Sequence, residues 1–270
     1  MKQLLYDPWE RAKGNHPDID VVNFSSIQNP AFPKDEYERL RTTMQRWKFN
    51  MFHRGLFERP AGMIYDKFDR SKHVWPRFLI PEHWPRYVGL DFGGVNTAAV
   101  FLAEERTPDG KPLTQERWYT AKPGPDKPTG RYFVYREYWP REARSAEQHK
   151  IALMEGEPRL PTCAGGAKSE GQWRLEFSRV GLPMQHPITT DVEVGINRLY
   201  GMIARDQLIV FEDCVNFLDE LGTYSRELDE TGEPTDEIDE KETYHICDGA
   251  RYIAVYLDRQ MSGGWKMEWL

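Results

Sequence analysis

The hydrophobic pattern is most regular from Tyr87 onward. In YVGLDFGGVNTAAVFLA, Val88, Leu90 and Phe92 alternate with polar or small residues. After Gly93, Gly94 and Asn96 the chain turns back into Ala98, Ala99, Val100 and Phe101. That pattern predicts a β-hairpin with strands at about 87–92 and 97–104, and RYFVYREYW predicts a third at about 131–139. A proline- and glycine-rich excursion separates the last two. Beyond them helices and strands alternate: a helix at about 145–155, a strand near 160–163, a glycine turn and a helix to about 180, and a short strand at about 184–187. Val192, Ile196, Leu199 and Ile203 form one helical stripe, which Thr190 or Asp191 is placed to cap. LIVF at 208–211 reads as a strand before a helix at about 214–224, and Ile246, Ala250, Ile253 and Leu257 mark the buried face of a last helix. Upstream, Pro33 and the acids after it open a helix running to about Phe52, with Tyr37, Leu40, Met44 and Trp47 on one face. The proline-rich, aromatic segment 59–86 lacks a period and is expected as a linker, or as an extended stretch packed on a neighbour.

Antiparallel-compatible strands followed by alternating helices and strands give an α/β mixed sheet flanked by helices, an order that fits a ribonuclease H-like fold. The 270 residues suffice for one large domain, and 39% hydrophobic with 29% charged residues is a globular balance. No apolar run reaches a membrane span. Three cysteines without metal spacing and seven scattered histidines speak against zinc and for a reducing compartment. The net charge of −7 is unevenly spread. Residues 1–86 carry 15 basic and 11 acidic side chains, whereas residues 212–242 carry 13 acids and two bases. The acidic excess is thus one local block, whose loop DETGEPTDEIDEKE is expected as a mobile solvated flap, and a DNA-facing surface elsewhere stays open.

Two aspartates stand out. Asp91 ends an apolar strand beside a tight turn, where a carboxylate costs several kcal/mol to desolvate unless paired. It reads as a turn aspartate, a metal ligand or part of a phosphate loop. Asp248 interrupts an aromatic helix, off its apolar stripe, and reads either as a surface partner of Arg251 or as a carboxylate facing Asp91. Two-metal phosphodiester cleavage needs such carboxylates around ions about 4 Å apart.

These residues and their order resemble the large terminase subunit of tailed bacteriophages. NPAFPKDEYERLRTTMQRWKFNMFHRGLFERPAGMIYDKFD looks like the end of that family's ATPase domain and its passage into the nuclease. YVGLDFG resembles the first nuclease strand, VEVGINRLYGMI the glycine-isoleucine helix, and YHICDGARYI the terminal His-x-x-Asp-Ala-x-Arg-Tyr helix, with Gly249 where Ala is usual. The resemblance implies a remnant of the ATPase domain at 1–58, a linker at 59–86 and a ribonuclease H-like nuclease at 87–270. It implies Mg²⁺ or Mn²⁺ at a two-metal site with Asp91 and Asp248 as ligands and His245 beside them. It further implies double-stranded DNA as substrate, a portal protein, a small terminase subunit and a ring of like subunits as partners, no membrane, and the host cytoplasm as location.

Two departures qualify it. No G-x-x-x-x-G-K-[ST] loop occurs, so ATP hydrolysis by these residues alone is not expected. The family's acidic residue after the strand ending at Cys163 is replaced by Gly165 or Gly166. Glu170 is the nearest substitute ligand, with Glu137 and Asp191 as more distant candidates. The loosened site should favour Mn²⁺ over Mg²⁺, and Gly165→Asp should tighten it provided the backbone there does not require φ > 0. Sequence-tolerant DNA contacts are expected from Lys168, Arg174, Arg179, Arg198 and Arg205. GLDFGGVNTA also resembles the start of an actin-like sugar kinase, but too few residues follow for its two halves. A third reading is an assembly module of the packaging motor with impaired catalysis.

Overall fold

The computed structural model describes residues 17–43, 46–56, 62–115, 119–120, 125–186, 189 and 191–261. The chain divides into two compact units, residues 1–64 with 222–239, and residues 65–221 with 240–270. In the first unit, helices α1 (Lys34–Thr43) and α2 (Arg46–His53) replace the single helix expected over this stretch. Tyr37 and Phe49 are buried and meet edge to face, with ring centroids 5.0 Å apart. Of the expected apolar face, Met44 lies outside the described residues, as does the side chain of Trp47.

The second unit is built on a seven-stranded sheet. In chain order it contains α3 (Arg70–His73), β1 (Val74–Trp75), β2 (Arg86–Asp91), β3 (Ala98–Thr107), β4 (Lys127–Tyr138), α4 (Ala146–Met154) and β5 (Thr162–Gly165). A 3-10 turn at Lys168–Glu170 leads into α5 (Gly171–Arg179), β6 (Met184–Gln185), α6 (Val192–Ala204), β7 (Leu208–Phe211) and α7 (Val215–Thr223). The hairpin β8 (Arg226–Leu228) and β9 (Pro234–Ile238), in the first unit, precedes the last helix, α8 (His245–Met261). The acidic block therefore contains a paired hairpin where a flap is expected.

The strands lie in the order β1-β7-β4-β3-β2-β5-β6. β3 runs antiparallel to both β2 and β4, and every other neighbouring pair is parallel. This mixed sheet with flanking helices is a ribonuclease H-like α/β fold. Residues 98–105 of β3 are buried almost without exception, because a central strand covered on both faces has no solvent side to alternate with. The segment expected as a linker supplies β1 at the sheet edge and the fully buried Trp84, so its aromatics are core residues.

Helix α8 lies along the middle of the sheet against β2, β3 and β5, and α6 packs on α8. Its apolar stripe, Ile246, Ala250, Ile253 and Leu257, is buried as the periodicity requires. Two glycines set how close the helix comes. A Cβ built on Gly89 of β2 would lie 2.1 Å from the Gly249 carbonyl oxygen, and one built on Gly249 would lie 2.8 Å from that of Gly89. Backbone thus rests on backbone at this crossing. The next residue toward the helix N-terminus, Asp248, is thereby brought against the end of β2, where Asp91 stands.

Candidate metal centre

Asp91 is the last residue of β2, opposite Ala98, and the turn beyond it is fixed by Thr97, whose hydroxyl donates to the Gly93 carbonyl. His245 opens α8 and meets Asp91 across the chain, with Nδ1 2.9 Å from Asp91 Oδ2. One helical turn on, Asp248 is gripped by Arg251, whose Nε donates to Asp248 Oδ1 at 3.2 Å and whose Nη2 donates to the same oxygen. Arg251 is only 3% exposed. Its side chain lies along Gly195 of α6, where a Cβ would come within 3.1 Å of it, and Nη1 reaches the Val192 carbonyl. The glycine-isoleucine helix is thus the seat of Arg251, and Arg251 is the brace of Asp248.

Glu170 closes the 3-10 turn after β5 and accepts the Ala167 amide through Oε2. Its carboxyl is raised above the ordinary range, first by burial and then by the charge of Asp91, with Asp248 adding to it. Asp248 is raised by burial, with Arg251 opposing and Asp91 adding to the shift. The Tyr252 phenol is raised by burial and then by the charges of Asp91 and Asp248. His245 is raised, chiefly by its hydrogen bond to Asp91. Asp91, Asp248 and Glu170 therefore share one electrostatic locale, each repelling the next.

That locale suits a hard divalent cation in donor type. The three groups offer carboxylate oxygens, as Mg²⁺ and Mn²⁺ prefer, and a cation there relieves the repulsion that raises Asp248 and Glu170. The described hydrogen bonds engage one oxygen of each carboxylate and leave the other for an ion. Among the described residues no group of three or more His, Cys, Asp or Glu side chains is gathered closely enough to hold a metal ion by itself, so a cation here would need water or substrate oxygens as further ligands.

The other candidates are engaged in holding the fold or lie on its surface. Glu137, on β4, accepts the Asn216 and Phe217 amides at 3.1 and 2.8 Å and the Asn216 side chain at 2.6 Å, so its carboxylate caps α7. Asp191 caps α6 through the Glu193 and Val194 amides. Both satisfy orphan helix donors, which removes the need for an ion. Arg174 is buried and donates to the Ala167 and Gly165 carbonyls, so it holds the Glu170 turn rather than a DNA surface. Arg179 pairs with Glu176, Arg198 with Asp258, and Arg205 donates to Gln207, all with solvent contact. The side chain of Lys168 lies outside the described set.

The expectation for Gly165→Asp is overturned. A Cβ at Gly165 would lie 2.3 Å from the Leu90 carbonyl oxygen inside the β2–β5 pairing, and Gly166 has φ +75 with Phe92 2.5 Å from its Cβ position. An aspartate at Gly165 would have to move β2, the strand that carries Asp91, and one at Gly166 would be strained at its positive φ and would have to displace the Phe92 ring.

Sequence reasoning passed over Glu220. On α7 it sits between buried Phe217, Leu218 and Leu221 and accepts the Ile246 and Cys247 amides at 3.2 and 2.7 Å, capping the helix that carries His245 and Asp248. An acid on an apolar helical stripe was the available signal. Burial pushes its carboxyl up to about 7.

Neither family models nor curated protein sequences give a match to the chain. Solved structures do. The large terminase of a thermophilic bacteriophage, solved with ADP, is similar over 97% of this chain and 60% of its own, at 17% identity and a TM-score of 0.56. The P22 large terminase nuclease domain is similar over 74% of this chain and 93% of its own, at 19% identity and a TM-score of 0.53. The fold is thus that of the large terminase nuclease domain, and the chain spans about 60% of the length of the thermophilic phage protein.

Proposed function

We propose that this chain is the nuclease portion of a phage large terminase, cutting double-stranded DNA within a genome-packaging motor by metal-dependent phosphodiester hydrolysis. The observation that supports this best is the convergence of the charges of Asp91, Asp248 and Glu170 at the end of β2 in a sheet of this fold. Asp91 and Asp248 would hold Mg²⁺ or Mn²⁺, with Glu170 as a third, looser ligand. When bound, the cations activate water and stabilise the leaving oxygen. Arg251 fixes the Asp248 carboxylate through Oδ1, which would leave the second oxygen to bind a cation. His245 donates its Nδ1 proton to Asp91 and keeps Nε2 for proton exchange at the scissile phosphate.

The motor context carries the partners: a portal protein, a small terminase subunit, a ring of like subunits and the cytoplasm of an infected host. Among the described residues, no helix is long and apolar enough to cross a membrane. Residues 1–58 are assigned, on the same reading, to the end of an ATPase domain. The fold comparisons lend the sugar-kinase reading no support.

Incubation of supercoiled plasmid with the purified chain in Mn²⁺, against EDTA, tests the proposal. Nicked and linear DNA in Mn²⁺ alone, lost in Asp91→Asn, is expected. Intact plasmid with the wild-type chain, or full activity in Asp91→Asn, would refute it.

A further inference from the structure

Beyond the carboxylates, a second set of residues reaches the site from the end of β4. After Tyr138 the chain leaves the sheet through Trp139 and Pro140, and Arg141 takes a left-handed backbone, φ 55, which residues with a Cβ seldom adopt. Such conformations persist where surrounding structure over-determines them, and they concentrate at functional sites. Here the surroundings are specific. The Arg141 guanidinium lies over the Trp139 ring, 4.1 Å from its centroid. Arg141 Nη2 donates to Asn216 Oδ1 at 3.2 Å, and Asn216 is itself held by the Glu137 carboxylate through its amide and its side chain.

Trp139 also touches the candidate centre. Its ring meets that of His245 at 5.5 Å between centroids, at an interplanar angle of 66°. The indole N–H is buried with no hydrogen-bond partner among the described residues, so ring contacts and not a hydrogen bond set the indole position. A continuous series runs from Glu137 through Asn216, Arg141, Trp139 and His245 to Asp91. Within it the Arg141 guanidinium is exposed, with most of its five donors unused by Asn216. An arginine stacked on an aromatic ring and fixed at one nitrogen is pre-organised for bidentate binding of a phosphate.

We infer that Arg141, seated on Trp139, binds the DNA backbone beside the scissile phosphate, and that Trp139 transmits this placement to His245. The inference rests on the nuclease reading and adds to it a phosphate-positioning residue absent from the helix-borne cations. Arg141 touches none of the candidate ligands directly, so its loss leaves the carboxylate cluster intact.

The test is binding of a fluorescent DNA duplex by the whole chain in EDTA, followed by anisotropy over a range of salt concentrations, together with plasmid nicking in Mn²⁺. Glycine tolerates φ 55, so Arg141→Gly should keep or raise Tm. It should weaken DNA binding several-fold and flatten the log–log salt dependence by about one unit, as expected when one phosphate contact is removed. Arg141→Lys should retain the salt slope and lose part of the affinity, and Arg141→Gln should behave as Arg141→Gly. The Lys and Gln pair carries the comparison if the glycine variant fails to fold. Unchanged affinity and slope in Arg141→Gln, with a wild-type chain that nicks DNA, would overturn the inference and leave the nuclease reading standing. A wild-type chain that neither binds nor nicks DNA would remove both.

Discussion

Gly249→Ala sets two effects of opposite sign against each other. Alanine in the interior of a helix is about 1 kcal/mol better than glycine, so propensity alone predicts stabilisation. The new methyl, however, would stand 2.8 Å from the Gly89 carbonyl oxygen, 3.2 Å from its carbon and 3.6 Å from the Leu90 nitrogen. All three are backbone atoms of a strand paired on both sides, so no side chain can swing away. Overpacking of this kind costs about 1–3 kcal/mol. The contact should outweigh the propensity, for a net loss of about 0–2 kcal/mol and a fall in Tm of a few degrees. Relief comes by α8 lifting from β2, which separates Asp248 from Asp91, so nicking should fall more steeply than stability does. Urea unfolding and plasmid nicking on the same preparation measure both. A Gly249→Ala protein about 1 kcal/mol more stable than its parent, with full activity, would refute the idea that the glycine pair sets the site.

The aspartates should behave differently from each other. Asp91→Asn removes a charge that disfavours ionisation of Asp248 and Glu170, and should abolish nicking at little cost to folding. Asp248→Asn also abolishes nicking, but it leaves buried Arg251 without its anion and should cost about 1–3 kcal/mol in urea unfolding. Glu170→Gln should lower the Mg²⁺-supported rate more than the Mn²⁺-supported rate in parallel nicking assays; equal rates in the parent and variant would exclude Glu170 as a ligand. Glu220 has a folded-state value of about 7 against 4.5 in the unfolded chain, so the native state holds the extra proton between them. Its contribution is fully present below about 4.5 and lost as pH rises through about 7, amounting to about 3 kcal/mol at most. Stability measured across that window should fall less steeply in Glu220→Gln than in the parent.

Much of the second unit could be read from periodicity because its strands and helices bury continuous stripes. β2, β3, β4, α6 and α8 lie within a few residues of where the pattern puts them. Asp91 and Asp248 stood out as charges on apolar elements, a signal that survives without tertiary knowledge. What the sequence hid depends on contacts between distant segments. Trp75 and Trp84 sit in a stretch without a period, because β1 is two residues long and joins the sheet through β7. Glu137 and Asp191 carry the same carboxylate as a metal ligand, and only their positions at the starts of α7 and α6 show that they cap helices. Gly165 looked like a lost ligand and is a place where β5 backs directly onto Leu90.

The most direct measurement is anomalous diffraction from crystals of the chain soaked in Mn²⁺, read at the end of β2. A Mn²⁺ peak within about 2.5 Å of oxygens from both Asp91 and Asp248, with Glu170 nearby or joined through water, is the expected result. A peak at Glu137 or Asp191 instead, or none at Asp91 in crystals of a chain that cuts DNA in Mn²⁺, would contradict the assignment of this carboxylate cluster as the metal centre.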